Sequence, residues 1–243
     1  MPHYDVVDTS NNNGIMTVSN WRSMKKYGVK AMIAKLSEGT YFTDQTAKPS
    51  IHNAVAAGLH VNGYHFARFT TVAGAKAEAQ MAARSALKAG LGKSSVIVLD
   101  FEATNSGWNQ NYKIVKAWIN EVHRMGYPKT DVYTMGSWIN SVPLNNSGRG
   151  GWVANYPYNP SGFKLYTGYN GWQWTSSMHF PGCYGTFDVS QMYSNFYYGT
   201  TTKTIKPKKA IYYRYNPKMI YARTPINRYK DVAFKHKVDN FPA

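Results

Sequence analysis

The chain has 243 residues, 43% of them hydrophobic, enough for one sizeable core and against wholesale disorder. Its formal net charge of +16 points to an anionic polymer as partner, with DNA, RNA and the anionic polymers of a bacterial wall all qualifying. A single cysteine, Cys183, excludes an intrachain disulfide; the opening MPHYDVVDTS lacks the features of a signal peptide, and no window approaches the roughly 20 apolar residues of a membrane-spanning helix.

His3–Asp8 is the first strand candidate. Ser19–Tyr27 follows as a short helix with Ser19 as N-cap and Gly28 as stop. Lys30–Leu36 is a second strand, Pro49–Ala57 a helix with Pro49 in its first turn and Gly58 at its end, and Val61–Phe66 a third strand. Gly74–Ala89 is the clearest helix, Ala-rich and closed by Gly90. Ser95–Glu102 is a continuous apolar strand that runs into two acids. Asn109–Met125 is a helix with Ile114, Val115, Trp118, Ile119, Val122 and Met125 on one face, stopped by Gly126. Asp131–Met135 is the next strand. This alternation predicts a parallel sheet with crossover helices. Trp152–Tyr156, Gly171–Thr175 and Thr186–Val189 then read as strands joined by loops rich in Gly, Pro and Tyr. The expected fold is therefore α/β: an irregular TIM-like barrel over residues 1–198 whose later strands are joined by loops.

Residues 199–210 (GTTTKTIKPKKA) read as a polar, basic linker. Residues 211–243 read as a short basic extension with alternation suited to short strands, too small for an independent core without staples. Charge is uneven: residues 1–198 carry 17 Lys+Arg against 10 Asp+Glu, residues 199–243 carry 11 against 2. The tail is thus the more basic part per residue.

Catalytic groups of a parallel barrel stand at the C-terminal ends of its strands. Five of the ten acids in residues 1–198 fall at such places: Asp8, Glu38, Asp100, Glu102 and Asp188. Asp100 and Glu102, at i and i+2, share a strand face. Two close carboxylates cannot both ionise easily, so one pKa rises and supplies a general acid near neutral pH. Paired acids flanking a bond are what glycoside hydrolysis needs. The spacing alone leaves a metal site and a structural ion pair open as well. No P-loop, dinucleotide fingerprint or nucleophile elbow is present. His60 and His65 lack metal spacing, and no nucleic-acid-binding motif accompanies the basic tail. The 20 Tyr, 7 Trp and 10 Phe suit a groove in which rings stack on sugars or bases, and equally an ordinary core.

Seven segments in order resemble the glycoside hydrolase family 25 lysozymes, the Chalaropsis-type muramidases common among phage endolysins. They are Val7-Asp8-Thr9-Ser10, Ala34-Lys35-Leu36-Ser37-Glu38-Gly39-Thr40, Gly63-Tyr64-His65-Phe66, Asp100-Phe101-Glu102, Trp152-Val153-Ala154-Asn155-Tyr156, Gln173-Trp174-Thr175-Ser176 and Phe187-Asp188-Val189-Ser190. The resemblance covers residues 3–198. It implies cleavage of the β-1,4 bond between N-acetylmuramic acid and N-acetylglucosamine in peptidoglycan, with Glu102 as general acid and Asp100 as its partner. It implies Asp8 and Asp188 as catalytic neighbours that tune charge and hold the sugar. It also implies a groove lined by Tyr64, His65, Lys35, Glu38, Tyr133, Asn155, Tyr156, Gln173 and Trp174, and no cofactor or metal. The expected place of action is the bacterial wall, reached by phage-type release or non-classical export, with the basic tail expected to hold anionic wall polymers such as teichoic acids.

Overall fold

The computed structural model describes residues 1–144 and 150–198. The linker at 199–210 and the basic extension at 211–243 lie outside the described residues. The described elements are β1 Val6–Thr9, α1 Val18–Lys26, β2 Ala31–Glu38, β3 Phe42–Thr43, α2 Ala47–Ala56, β4 His60–Phe66, α3 Val72–Ala89, β5 Ile97–Asp100, α4 Trp108–Arg124, β6 Thr130–Met135, β7 Trp152–Ala154, β8 Gly171–Met178 and β9 Phe187–Met192.

The sheet runs in the order β1-β9-β8-β7-β6-β5-β4-β2-β3, and β1 also pairs with β2. Eight strands therefore close into a barrel, with β3 a short flap folded back antiparallel on β2. From β1 through β2, β4, β5, β6 and β7 to β8 every barrel neighbour is parallel. The last strand, β9, is antiparallel to both β8 and β1. The mixed, loop-joined end fits the irregular barrel expected from the sequence. The reversal of β9 was not expected. It follows from the short connection between Met178 and Phe187, since a direct hairpin joins antiparallel strands and a parallel return needs a longer crossover.

Alternation along the strands divides the apolar residues into two cores. Val6, Ala31, Ile33, Val96, Val98, Tyr133, Trp152 and Met192 fill the barrel interior. Val7, Met32, Leu36, Ile97, Leu99, Val132, Val153 and Trp172 face outward into the layer beneath the helices. In α4 the stripe Ile114, Val115, Trp118, Ile119 and Val122 is buried, each large side chain contributing roughly 1.5–3 kcal/mol by leaving water. The helix α3 ends at Gly90, whose φ of 87° is the left-handed geometry that glycine adopts without strain.

Two local expectations need correction. The first helix is capped by Thr17, not Ser19: the Thr17 hydroxyl accepts from the Asn20 amide while the Asn20 side chain reaches back to the Thr17 amide. Ser19 lies inside the first turn instead, because the reciprocal pairing satisfies two free N–H groups at once. In α2 the helix opens at Ala47, two residues before Pro49, and proline's missing N–H is harmless there because first-turn amides lack intrahelical partners.

The N-terminal end of the barrel is plugged by the turn Phe196–Tyr198. Asn62 Nδ2 donates to the Tyr197 carbonyl at 3.0 Å, and Tyr197 Oη donates to Asp131 at 2.7 Å. With its floor closed by protein groups, the barrel offers its polar interior to solvent at the C-terminal mouth.

Candidate active site

At the mouth the structure brings four carboxylates together. Asp8 ends the inward face of β1, and Asp188 is its direct cross-strand partner on β9. Because β9 runs the opposite way, a residue near its start meets residues near the ends of the parallel strands. Asp100 is the last residue of β5, and Glu102 lies two residues beyond, just past the strand end. Asp8 and Asp100 are buried; Glu102 and Asp188 are partly open to solvent.

Each of the four is pushed above the ordinary carboxylate range. Burial raises Asp8, and the charges of Asp188, Asp100 and Glu102 add to it, while a hydrogen bond from Gln173 opposes. Burial and the charge of Glu102 raise Asp100, opposed by Lys35 and Arg68. Burial and the charge of Asp188 raise Glu102, again opposed by Lys35. Burial pushes Asp188 up to about 6. Four acids this close disfavour one another's charge, and Lys35 and Arg68 offset this only in part, so the protonated forms are favoured more than in isolated carboxyls. One oxygen, Asp100 Oδ1, is buried and has no hydrogen-bond partner. Such an oxygen is costly unless something that binds there satisfies it.

A polar frame fixes this cluster. Tyr133 Oη donates to Gln173 Oε1 at 2.8 Å and Tyr156 Oη donates to the same oxygen. This double acceptance sets the amide's orientation, and Gln173 Nε2 donates to Asp8 Oδ2 at 2.8 Å. Burial, helped by the acids, pushes the Tyr133 and Tyr64 phenols well up, so both stay neutral donors. On the opposite side Lys35 Nζ donates to Glu38 Oε2 at 2.6 Å, and Arg68 donates to Glu38 Oε1 at 2.7 and 3.0 Å. Burial alone would raise Glu38, yet these hydrogen bonds hold it down to about 2. Glu38 is therefore a fixed anion that anchors Lys35 near Asp100 and Glu102, and not a proton donor.

The expected groove residues separate by strand face. Tyr64, Lys35, Glu38, Tyr133, Tyr156 and Gln173 surround the acid cluster. Asn155 is exposed just after β7 and donates to Tyr166 Oη at 2.8 Å. The structure does not bring His65 and Trp174 to the mouth. His65 is fully buried on the outer face, its ring bonded to Ser37 at 2.8 Å and Glu78 at 2.9 Å and stacked on Trp118. Trp174 is buried against Tyr4 and donates to the His3 carbonyl at 3.0 Å. Each directly follows an inward residue, Tyr64 or Gln173, so pleating turns it outward. Residues the sequence reading missed are Arg68 and Tyr41, both on Glu38. Arg68 had one available signal, its position two residues past Phe66 at a strand end. Among the described residues no group of three or more His, Cys, Asp and Glu is arranged to hold a metal ion, and no helix is long and apolar enough to cross a membrane.

A closed, irregular α/β barrel with a coupled carboxylate cluster at the C-terminal mouth of its strands defines the class of protein. The sequence model of Glycosyl hydrolases family 25 matches residues 7–183, and the chain belongs to that family. It is 28% identical to lysozyme M1 of Streptomyces globisporus over 184 residues, covering 70% of this chain and 62% of that protein. Among solved structures, the CTP1L endolysin is 31% identical with a TM-score of 0.64, covering 79% of this chain and 67% of that one. A family 25 glycosyl hydrolase from Bacillus anthracis, 20% identical, shares the fold with a TM-score of 0.63 over 82% of this chain and 98% of that one. The chain thus spans less than two thirds of the curated lysozyme it matches.

Proposed function

We propose that the chain is a lysozyme that hydrolyses the β-1,4 bond between N-acetylmuramic acid and N-acetylglucosamine in bacterial peptidoglycan. The observation that carries this reading is the acid cluster with the unpartnered Asp100 oxygen. Its support from relatives is the lysozyme and the endolysin, and one further structural neighbour, the pneumococcal autolysin LytC, whose structure is described in complex with a synthetic peptidoglycan ligand.

Glu102 is the general acid. It is the more open member of the close pair, so it reaches a glycosidic oxygen, and burial with Asp188's charge raises its pKa and so favours the protonated form. Asp100 is its partner. Its free oxygen accepts from the N–H of a substrate acetamido group, orienting that group's carbonyl toward the sugar carbon from which the leaving group departs. Asp8, held by Gln173, and Asp188 stabilise positive charge that develops on the ring. Tyr64, Tyr133 and Tyr156 line the sugar's seat, with Lys35 setting the local field. The chain acts at the bacterial wall, and its basic tail holds anionic wall polymers and so raises the local enzyme concentration.

Clearing of a suspension of purified walls tests the reading. Glu102→Gln lowers the rate about 10³-fold, the scale of losing a positioned proton donor, with the thermal midpoint held. Full clearance by that variant would remove Glu102 from its role.

A further inference from the structure

The helix α4 hides one face in the core and leaves an opposite stripe outward, and that stripe has a composition the catalytic mouth does not explain. Trp108, at the start of α4, is 49% exposed and Tyr112 is 38% exposed. Their rings lie 6.4 Å apart at 33°, as i, i+4 neighbours do on a helix. Lys116 stands over the Tyr112 ring at 5.4 Å. Two adjoining depressions share Tyr112 and Lys113. One is completed by Trp108 and Asn109, the other by Lys76 of α3, Lys116, Asn120 and Arg124. Together they form a shallow groove along the helix, roughly 24 Å from Trp108 to Arg124 at 1.5 Å per residue.

The groove is cationic. Lys76, Lys113, Lys116 and Arg124 line it against a single carboxylate, Glu121, and that carboxylate already accepts from Arg124 and Gln80. No acidic side chain stands in the first turn of α4 and no side chain caps it, so the helix end adds to the positive field beside Trp108. Topology puts this end of α4 on the mouth side of the barrel, because β5 ends at Asp100 and α4 begins at Trp108. A solvated helix face needs its lysines for solubility, but it has no use for an exposed tryptophan set beside a half-exposed tyrosine.

We infer that this groove binds a phosphodiester-linked wall polymer, a polyol-phosphate chain, whose phosphates meet the cations and whose carbon backbone or sugar substituents stack on Trp108 and Tyr112. A chain of anionic and neutral units matches a groove with two rings at one end and cations along the rest. The choice of a wall polymer over a polynucleotide rests on the lysozyme reading. Bound along α4, the polymer holds the mouth of the barrel against the glycan to which that polymer is attached.

The test uses the full chain, sacculi that carry poly(glycerol phosphate), and the same sacculi stripped of it with hydrofluoric acid. Co-sedimentation gives affinity, and reducing sugar released from the stripped sacculi gives activity. Lys113→Gln with Lys116→Gln weakens binding to the polymer-bearing sacculi about fivefold to tenfold and lowers the salt slope by roughly 1–2, as loss of two phosphate contacts predicts. Trp108→Ala weakens it about threefold, within the range for one exposed stacking contact. Neither change alters binding to stripped sacculi or the rate of sugar release from them. Unchanged binding to polymer-bearing sacculi, or equal weakening on both, overturns the inference. So does a single-stranded oligonucleotide that displaces the protein at lower phosphate concentration than soluble poly(glycerol phosphate), which assigns the groove to nucleic acid. If the unaltered chain releases no sugar from stripped sacculi, the lysozyme reading fails, while the binding comparison still decides the groove.

Discussion

Two aspartates, Asp131 and Asp100, are both buried inside the barrel, and they differ in what surrounds their oxygens. Asp131, at the floor, accepts from the Val132 amide at 2.9 Å and the Gly151 amide at 2.6 Å on one oxygen. Its other oxygen accepts from Asn170 Nδ2 at 2.9 Å and Tyr197 Oη at 2.7 Å. Four donors offset its desolvation and tie β6, the β7 approach, the β8 approach and the floor turn together. Asp100, at the mouth, has a buried oxygen with no partner and a neighbouring carboxylate that disfavours its charge. A saturated buried acid is structural glue. One without a protein donor, beside an open mouth, is free to accept from water or from a bound group. The two ends of one barrel thus separate stability from chemistry.

Substitutions that exchange these roles would break the comparison. Asp131→Ala leaves four donors without an acceptor and lowers stability by about 3 kcal/mol, read as a fall in the urea midpoint, while kcat of the remaining folded protein stays near the parent value. Asp100→Asn does the reverse: kcat/KM on peptidoglycan falls about 100-fold, roughly 2.7 kcal/mol, and the thermal midpoint holds or rises because a poorly solvated charge is gone. A large loss of stability in Asp100→Asn with activity intact would erase the distinction.

Asp188→Asn gives a smaller effect with a fixed sign. The folded Asp188 carboxyl titrates at about 6, above its unfolded value, so its protonated form favours folding. That stability is fully present below the unfolded pKa and is lost as pH rises through about 6. The variant, lacking this ionisation, gains on the parent between about pH 4 and pH 7, by ~1–2 kcal/mol after allowance for partial exposure. Removing the Asp188 charge also lowers the pKa of Glu102, so the alkaline limb of the activity profile moves to lower pH. A limb that moves upward would contradict the coupling.

Much of this was legible in the residues. Apolar runs ending in acids marked β1 and β5, Ala and Gly marked α3, and the helical stripe marked α4. The four mouth acids were all found, although Asp188 reached the mouth by a reversed strand that its residues did not reveal. Period-two alternation was available to show that His65 and Trp174 point away from Tyr64 and Gln173; a motif read as a block obscures it. Other features were out of reach. Nothing local shows that Tyr133 and Tyr156 converge on one oxygen of Gln173, because 40 and 17 residues separate them from it. Glu38 looked like another acid at a strand end, and only the placement of Lys35 and Arg68 makes it a fixed counter-ion. The flap β3 is two residues long, too short to leave a period.

The central claim is that the mouth cuts a muramic acid linkage with Glu102 as its acid. Mass analysis of products from purified peptidoglycan tests it most directly, with the parent chain and Glu102→Gln side by side. The parent is expected to release fragments with reducing-end N-acetylmuramic acid and the variant almost none. Reducing-end N-acetylglucosamine, free stem peptides, or the same muramic acid fragments at parental yield from Glu102→Gln would contradict it.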